Sequence, residues 1–273
     1  MIPLCNLHTH TTYCDGQNSP EDMILSAIRQ GCHTLGFSGH APADMWGSKE
    51  WTIPAEKMTA YRDELLALKE KYAPQIEVLV GLELDYYSPK PDWVEYTIGS
   101  VHQLKLDNGI EIPVDLDYHQ VQDLVGKAYG GNFLAYARDF YALSADVANR
   151  TGCEIVGHFD LLTKFNEKYH FLDESDRRYQ SMALEALDAV MEKDVLFEMN
   201  TGAISRGWRT TPYPAPFLVQ RMAEKGARVI LNSDSHAADT ILFGFENAVE
   251  YARANGLHEL WVYKNGQFVP FGI

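Results

Sequence analysis

Seven short apolar runs in this chain each carry, at or near their C-terminal ends, side chains of the kinds that hold metal ions. Leu7-His8-Thr9-His10 ends the first, with Asp15 five residues further on, and Ser38-Gly39-His40 ends the second. Gly81-Leu82-Glu83-Leu84-Asp85 lies in the third, and Ser100-Val101-His102 ends the fourth. The last three end in Gly157-His158-Phe159-Asp160, Glu198-Met199-Asn200 and Asn232-Ser233-Asp234-Ser235-His236. Residues two apart on a strand share a face, so His8 with His10, and Asp234 with His236, project together as paired ligands must. Imidazole mixed with carboxylate, without thiolate, suits Zn, Mn or Fe better than Mg or Ca. Several carboxylates among many imidazoles point to more than one ion. Each piece alone has a plain explanation: an incidental His-x-His, a buried ion pair at Glu83, a hydrogen-bonded core histidine at His102 or His158. Unpaired acids are rarely buried, however, and a cluster at one end of one sheet needs a compensating charge. The constellation carries the metal reading; no single residue does.

These residues must be positioned by strands. The runs 4–8, 34–38, 76–84, 96–102, 154–158, 195–200 and 228–232 are brief, partly β-branched and bounded by polar or glycine residues, which predicts buried strands. Helical spacing fills the gaps. Ser19-Pro20-Glu21-Asp22 supplies an N-cap and a first-turn proline, and Gly31 closes that helix. The stretches 56–72, 133–150, 176–193, 216–225 and 240–255 show apolar residues at helical intervals. Repeated strand–helix alternation implies parallel strands with right-handed crossovers. The expected architecture is α/β, a barrel-like sheet in a single domain over 1–273, with an open doubly wound sheet as the structural alternative. Barrel enzymes place their sites at the C-terminal ends of the strands, where this set lies. The insert 107–131 is expected to hold a loop and a short helix over one mouth, as a substrate-covering segment. The tail 260–273, centred on Asn265-Gly266, reads as a hairpin.

Composition narrows the function. The chain has 273 residues and a formal charge of −15, from 23 Lys and Arg against 38 Asp and Glu. That balance excludes a long nucleic acid as main partner, because a phosphate backbone needs a basic track. No run approaches the roughly 18 apolar residues of a membrane span. Cys5, Cys14, Cys32 and Cys153 form no Cys-x-x-Cys and read as reduced thiols. With no signal-peptide pattern at the N-terminus, the expected location is cytoplasmic. Cys14 is expected to be a non-ligating neighbour of the site. His33, His170 and His258 fall outside the set, and His119, in the insert, is a candidate substrate-facing residue. Trp46 and Trp51 are candidates for a lid or an interface.

His8-Thr9-His10, Asp15, His40, Glu83, His102, His158 and Asp234/His236 resemble, in motif order, the polymerase and histidinol phosphatase (PHP) family. Cys14-Asp15-Gly16, Gly157-His158-Phe159-Asp160 and Asn200-Thr201-Gly202 are similar to its stand-alone L-histidinol-phosphate phosphatase branch. The resemblance implies a distorted (β/α)7 barrel with a trinuclear centre of divalent ions (Mn, Fe or Zn). It implies one metal on His8, His10, Glu83 and Asp234, and a second on Glu83, as bridge, with His102 and His158. A third would take Asp15, His40 and His236; some members have His where this chain has Asp15. The implied reaction is hydrolysis of L-histidinol phosphate, in histidine biosynthesis, by a hydroxide held between two metals that Glu83 bridges. Asp234 and His236 are the candidates to protonate the leaving group.

Lys164 and Arg206 stand on loops after the fifth and sixth strands, where a phosphate wants a cation, with Arg209 behind them; Arg206 can bind bidentately. Asp160 or Asp44 is the acidic candidate to face a substrate amine. The alternatives are a PHP phosphoesterase for another small phosphate ester or a short oligonucleotide, and an amidohydrolase-like enzyme. The last lacks a metal-bridging Lys at a strand end, since Lys164 comes several residues too late. A metal-storage protein on an old barrel is the non-enzymatic reading, and turnover would exclude it.

Overall fold

The computed structural model describes residues 2–43, 45 and 47–273. Asp44 and Trp46 lie outside the described residues, so the expectations placed on them are not taken further. The strands are β1 (Cys5–Asn6), β2 (Thr34–Phe37), β3 (Glu77–Asp85), β4 (Tyr96–Ser100), β5 (Gln103–Lys105), β6 (Glu111–Pro113), β7 (Ile155–Val156), β8 (Leu196–Asn200), β9 (Val229–Asn232), β10 (Glu259–Lys264) and β11 (Gln267–Gly272). The helices are α1 (Pro20–Arg29), α2 (Met58–Tyr72), α3 (Tyr118–Tyr129), α4 (Phe133–Thr151), α5 (Asn166–Tyr169), α6 (Arg177–Met191), α7 (Gly202–Ser205), α8 (Pro216–Lys225) and α9 (Phe245–Ala254). All seven expected strands are present, paired parallel in the order β1-β2-β3-β4-β7-β8-β9.

The ring closes only at its upper rim. Beyond β9 the chain continues to Ser235, which forms a parallel bridge with Thr9. There Ser235 N donates to His8 O at 3.0 Å and His10 N to Ser235 O at 2.8 Å. Lower down, side chains replace ladder bonds: Leu7 N donates to Asn232 Oδ1 at 2.8 Å, and Asn6 Nδ2 to Ser233 Oγ at 2.8 Å. This is why the run 4–8 yields a strand of only two residues. Toward its N-terminal end β9 instead pairs with β10, and β10 with β11 in an antiparallel hairpin. The barrel is therefore distorted where its first and last strands meet. Asn265 and Gly266, with φ of 53° and 80°, make the tail turn that an Asn-Gly pair favours.

Cys5, Leu7, Leu79, Tyr96, Ile98, Ile155, Leu196, Ile230 and Val262 form one buried cluster, drawn almost entirely from the strands. Tyr96 is its largest member and donates from Oη to Leu7 O. A Cβ on Gly36 would lie 2.4 Å from Tyr96 Oη, and one on Gly81 2.5 Å from its ring, so both glycines make room for the phenol. Two further clusters bury the inner faces of the helices. In α1 the Ser19 side chain accepts from Asp22 N, with Pro20 at the first position, as the sequence predicts.

Two expectations need correction. The insert forms a β5–β6 hairpin that begins at Gln103, before residue 107, and only then the helix α3. An Asn108-Gly109 pair with φ of 82° at Gly109 is the turn signal that marks it. The helix expected over 240–255 starts at Phe245, because Gly244 at φ 74° ends a preceding loop.

Candidate metal centre

The upper rim of the barrel brings nine side chains onto one point. Glu83 on β3 is 1% exposed and stands at the centre. Its Oε2 lies 3.1 Å from His8 Nε2, 3.6 Å from His10 Nε2 and 3.0 Å from His40 Nδ1. Its Oε1 lies 3.3 Å from His102 Nε2 and 3.0 Å from His158 Nε2. One carboxylate thus spans two groups of imidazoles, because β3 passes between the strands that carry them. Asp234 Oδ1 sits 3.6 Å from His8 Nε2 and 3.3 Å from His10 Nε2. Asp15 Oδ2 sits 3.2 Å from His236 Nε2, and its Oδ1 3.7 Å from His40 Nε2 and from His10 Nδ1.

Ligand atoms in four subsets lie within 4.8 Å of one another: His10/Asp15/His40/His236, His8/His158/Asp234, His8/His10/Glu83 and His40/Glu83/His102. His8, His10, His40 and Glu83 each belong to two subsets, and of these only Glu83 is shared in the ligand allocation implied by resemblance. The donor set passes a test of fit to metal. His8 Nε2, His10 Nε2, His40 Nδ1 and Glu83 Oε2 are buried without a hydrogen-bond partner. Buried polar atoms are normally satisfied, and each one left bare costs about 1–3 kcal/mol. Orphaned ring nitrogens aimed at carboxylate oxygens are what cations between them would satisfy.

The electrostatics agree. Burial opposes ionisation of Glu83, yet the imidazoles of His8, His102 and His40 hold its carboxyl well below the usual range. Asp234 is held low in the same way, against burial, chiefly by Arg206 and His8. Burial, with His236 and His40 nearby, pushes His10 down to about 3, so it keeps a neutral, ligand-competent ring.

A second layer fixes the first. Glu198 on β8 accepts from His8 Nδ1 at 2.6 Å, from Asn200 Nδ2 and Asn232 Nδ2 at 2.9 Å, and from His158 N at 2.9 Å. It sets the tautomer and orientation of His8, the usual service of a carboxylate behind a ligating imidazole. Asp85 accepts from His102 N at 2.8 Å. Both acids are visible as strand-end carboxylates, but nothing in the pattern assigns them to this layer. Asp234 adopts φ 49°, a conformation that Asp tolerates. A Cβ on Gly202 would meet Asp234 at 2.8 Å and Arg206 Nη2 at 2.9 Å. Asn200-Thr201-Gly202 therefore lets Asp234 and Arg206 pack together.

Arg206 reaches the centre: Nη2 donates to Asp234 Oδ2 at 2.9 Å and Nη1 to Asp234 O at 3.0 Å, with His236 Nδ1 3.1 Å from Nη1. Lys164, 9% exposed, lines the same cavity and donates to Asp115 Oδ2 at 3.0 Å. Trp51, Gln103, Pro113, Asp115 and Leu116 complete the wall, most of them from the β5–β6 hairpin and its exit; of these the sequence singles out Trp51 and, as a segment, the insert, but not Gln103. Trp51 stands edge-on to His40 at 4.9 Å.

Three other candidates lie elsewhere. His119 is on the exposed face of α3, edge-on to Tyr169, away from the cavity, because Tyr118 rather than His119 takes the buried position. Asp160 is fully buried and accepts from Ala215 N, where it supports the start of α8 and does not face a ligand. Arg209 donates to Thr163 and packs over the Tyr213 ring at 4.7 Å. The Cys14 thiol lies 3.6 Å from His10 Nδ1 and is pushed up to about 12 by burial, so it remains a neutral neighbour.

Comparison with known proteins places this geometry in context. The family model described as PHP domain matches residues 6–202. A Deinococcus radiodurans protein named "Probable histidinol-phosphatase" is 32% identical, over 94% of this chain and 95% of its own length. A Schizosaccharomyces pombe protein of the same name is 26% identical, over 95% and 89%. The crystal structure of histidinol phosphate phosphatase from Lactococcus lactis, complexed with Zn, L-histidinol and phosphate, superposes with a TM-score of 0.71. It is 18% identical and covers 97% of this chain and 98% of its own. The matched segment begins at Asn6, two residues before His8, and takes in the first six strand ends of the rim, which leaves no part of the metal-type set before Asp234 outside it. The chain belongs to the PHP family.

Proposed function

We propose that this protein is a phosphomonoesterase that hydrolyses L-histidinol phosphate to L-histidinol and inorganic phosphate, as a step in histidine biosynthesis in the cytoplasm. The reading draws on the full-length similarity to proteins bearing that name. One observation carries it: unpartnered imidazole nitrogens converge on Glu83 and Asp234, with Arg206 and Lys164 beside them in one cavity of about 210 Å³. That volume suits a small ester better than an oligonucleotide. No described helix is long and apolar enough to cross a membrane.

Three divalent ions, Mn, Fe or Zn, are proposed within a single domain spanning 1–273. His8, His10, Glu83 and Asp234 would hold one, Glu83, His102 and His158 a second, and Asp15, His40 and His236 the third. Bound there, such ions supply Lewis acidity and bring the pKa of water toward neutrality. The chain's own groups do the rest. Arg206 presents two N–H donors at the edge of the centre, placed to neutralise phosphoryl oxygens as charge shifts onto them. Lys164 adds a second cation across the cavity. Asp234 and His236, whose side chains lie 3.5 Å apart at the edge of the centre, are the candidates to carry the proton given up by the attacking water to the departing alkoxide. An O–P bond to water forms, the ester P–O bond breaks, and the proton ends on L-histidinol.

A substrate panel and elemental analysis test this. The expected result is about three metal equivalents per chain and turnover of L-histidinol phosphate well above generic phosphate esters and dinucleotides. Equal turnover of all esters would leave a phosphatase and discard the substrate; a metal-free active protein would overturn the centre.

A further inference from the structure

Among the described residues, four acids line the cavity: Asp15, Glu83, Asp234 and Asp115. The first three belong to the metal-ligand subsets, and Asp115 belongs to none. Two cations line it as well. Arg206 is engaged by Asp234, whereas Lys164 Nζ donates to Asp115 Oδ2 at 3.0 Å and to the Asp115 carbonyl at 2.7 Å. The cavity thus contains one ion pair whose members belong to none of the metal-ligand subsets. Asp115 follows β6 at the base of the hairpin, and Lys164 follows the turn after β7, so two loops meet through this pair.

We propose that Asp115 and Lys164 form a recognition element for a phosphate ester that also carries an ammonium group, with Lys164 taking the phosphate and Asp115 the ammonium. This rests on the phosphomonoesterase reading and adds to it the residue that selects for the amine.

The argument is one of charge exchange. A partly buried ion pair stabilises a fold little, since desolvation offsets attraction, but removing one partner is costly. An aminoalkyl phosphate replaces the pair charge for charge: each group gives up the other and gains an oppositely charged partner. A phosphate ester without an amine draws Lys164 away and leaves Asp115 as an unpaired carboxylate facing an anion. The same residue therefore favours the aminated substrate and disfavours the plain one, and specificity commonly combines both. Lys164, 3.0 Å away, holds the Asp115 carboxyl below its usual range although burial opposes it, so Asp115 is an anion in the pair. Trp51, Pro113 and Leu116 give the adjoining wall apolar surface beside the pair.

The test compares L-histidinol phosphate with its deamino analogue, 3-(imidazol-4-yl)propyl phosphate, on the metal-loaded enzyme. The wild type is expected to prefer the aminated ester by about tenfold or more in kcat/KM, the scale of a lost buried charge partner. Asp115→Asn is expected to bring the ratio of the two kcat/KM values close to one. Calorimetric titration with L-histidinol gives a second readout, with weaker binding expected in the variant. Equal kcat/KM for both esters in the wild type would overturn the inference without a variant and leave the phosphatase reading standing. An unchanged ratio in folded Asp115→Asn would do the same. Failure of the wild type to hydrolyse either ester, with other phosphate esters cleaved, would overturn the substrate reading and this inference with it.

Discussion

Glu83 is one carboxylate serving five imidazoles, and that geometry makes it the least replaceable side chain in the molecule. Glu83→Gln keeps the shape and the acceptor for Ser100 Oγ, which donates to Oε1 at 2.7 Å, but removes the charge. It should reduce phosphate release to background and lower metal content while circular dichroism stays native; full activity would contradict the bridging role. Glu198 acts one layer out. Glu198→Gln should weaken metal retention or activity by about 10–100-fold, the usual cost of losing such a partner, which metal titration of the variant would read. Asp160 bears on stability instead. Burial pushes its carboxyl up to about 6 from an unfolded 3.8. Between those values the folded chain binds the proton that the unfolded chain has lost, so this group's contribution falls as pH rises through that window. Asp160→Asn should flatten that fall and, above pH 6, stabilise by up to about 3 kcal/mol. Denaturant melts at pH 4 and 7.5 would check the sign: a variant less stable at the higher pH would contradict it.

At the level of elements, the metal-type residues could be read from the chain because ligand type and the two-residue period are local properties of a strand. His8 with His10 and Asp234 with His236 needed only the pleat to be placed together. What could not be read depends on approach between segments distant in sequence. Nothing in Ala203-Ile204-Ser205-Arg206 says that its guanidinium meets Asp234 rather than solvent, and nothing in Asp115 announces Lys164. His119 looked like a ligand-facing residue because it lies in the insert, yet helical phase gives the buried position to Tyr118. β1 is shorter than its apolar run because Asn6 and Asn232 take over its ladder bonds through side chains. The interior is equally particular: Gly36→Ala would drive a methyl group into Tyr96 and should cost about 1–3 kcal/mol of stability. Adding Tyr96→Phe, which removes the nearest atom, should recover part of that loss in chemical denaturation.

Taken whole, the molecule is a distorted parallel barrel whose rim gathers imidazoles and carboxylates over an interior plugged by Tyr96, and whose hairpin insert walls one small cavity. An acidic chain can still bind an anionic ester, because the charge that matters is local: proposed cations at the centre, Arg206 beside them and Lys164 opposite. The most direct measurement is initial-rate phosphate release from L-histidinol phosphate by Mn-loaded protein, against the same protein after chelation. The account predicts efficient release that chelation abolishes and Mn restores. Release that survives complete removal of metal, or none from this ester while simpler phosphate esters are cleaved, would contradict it.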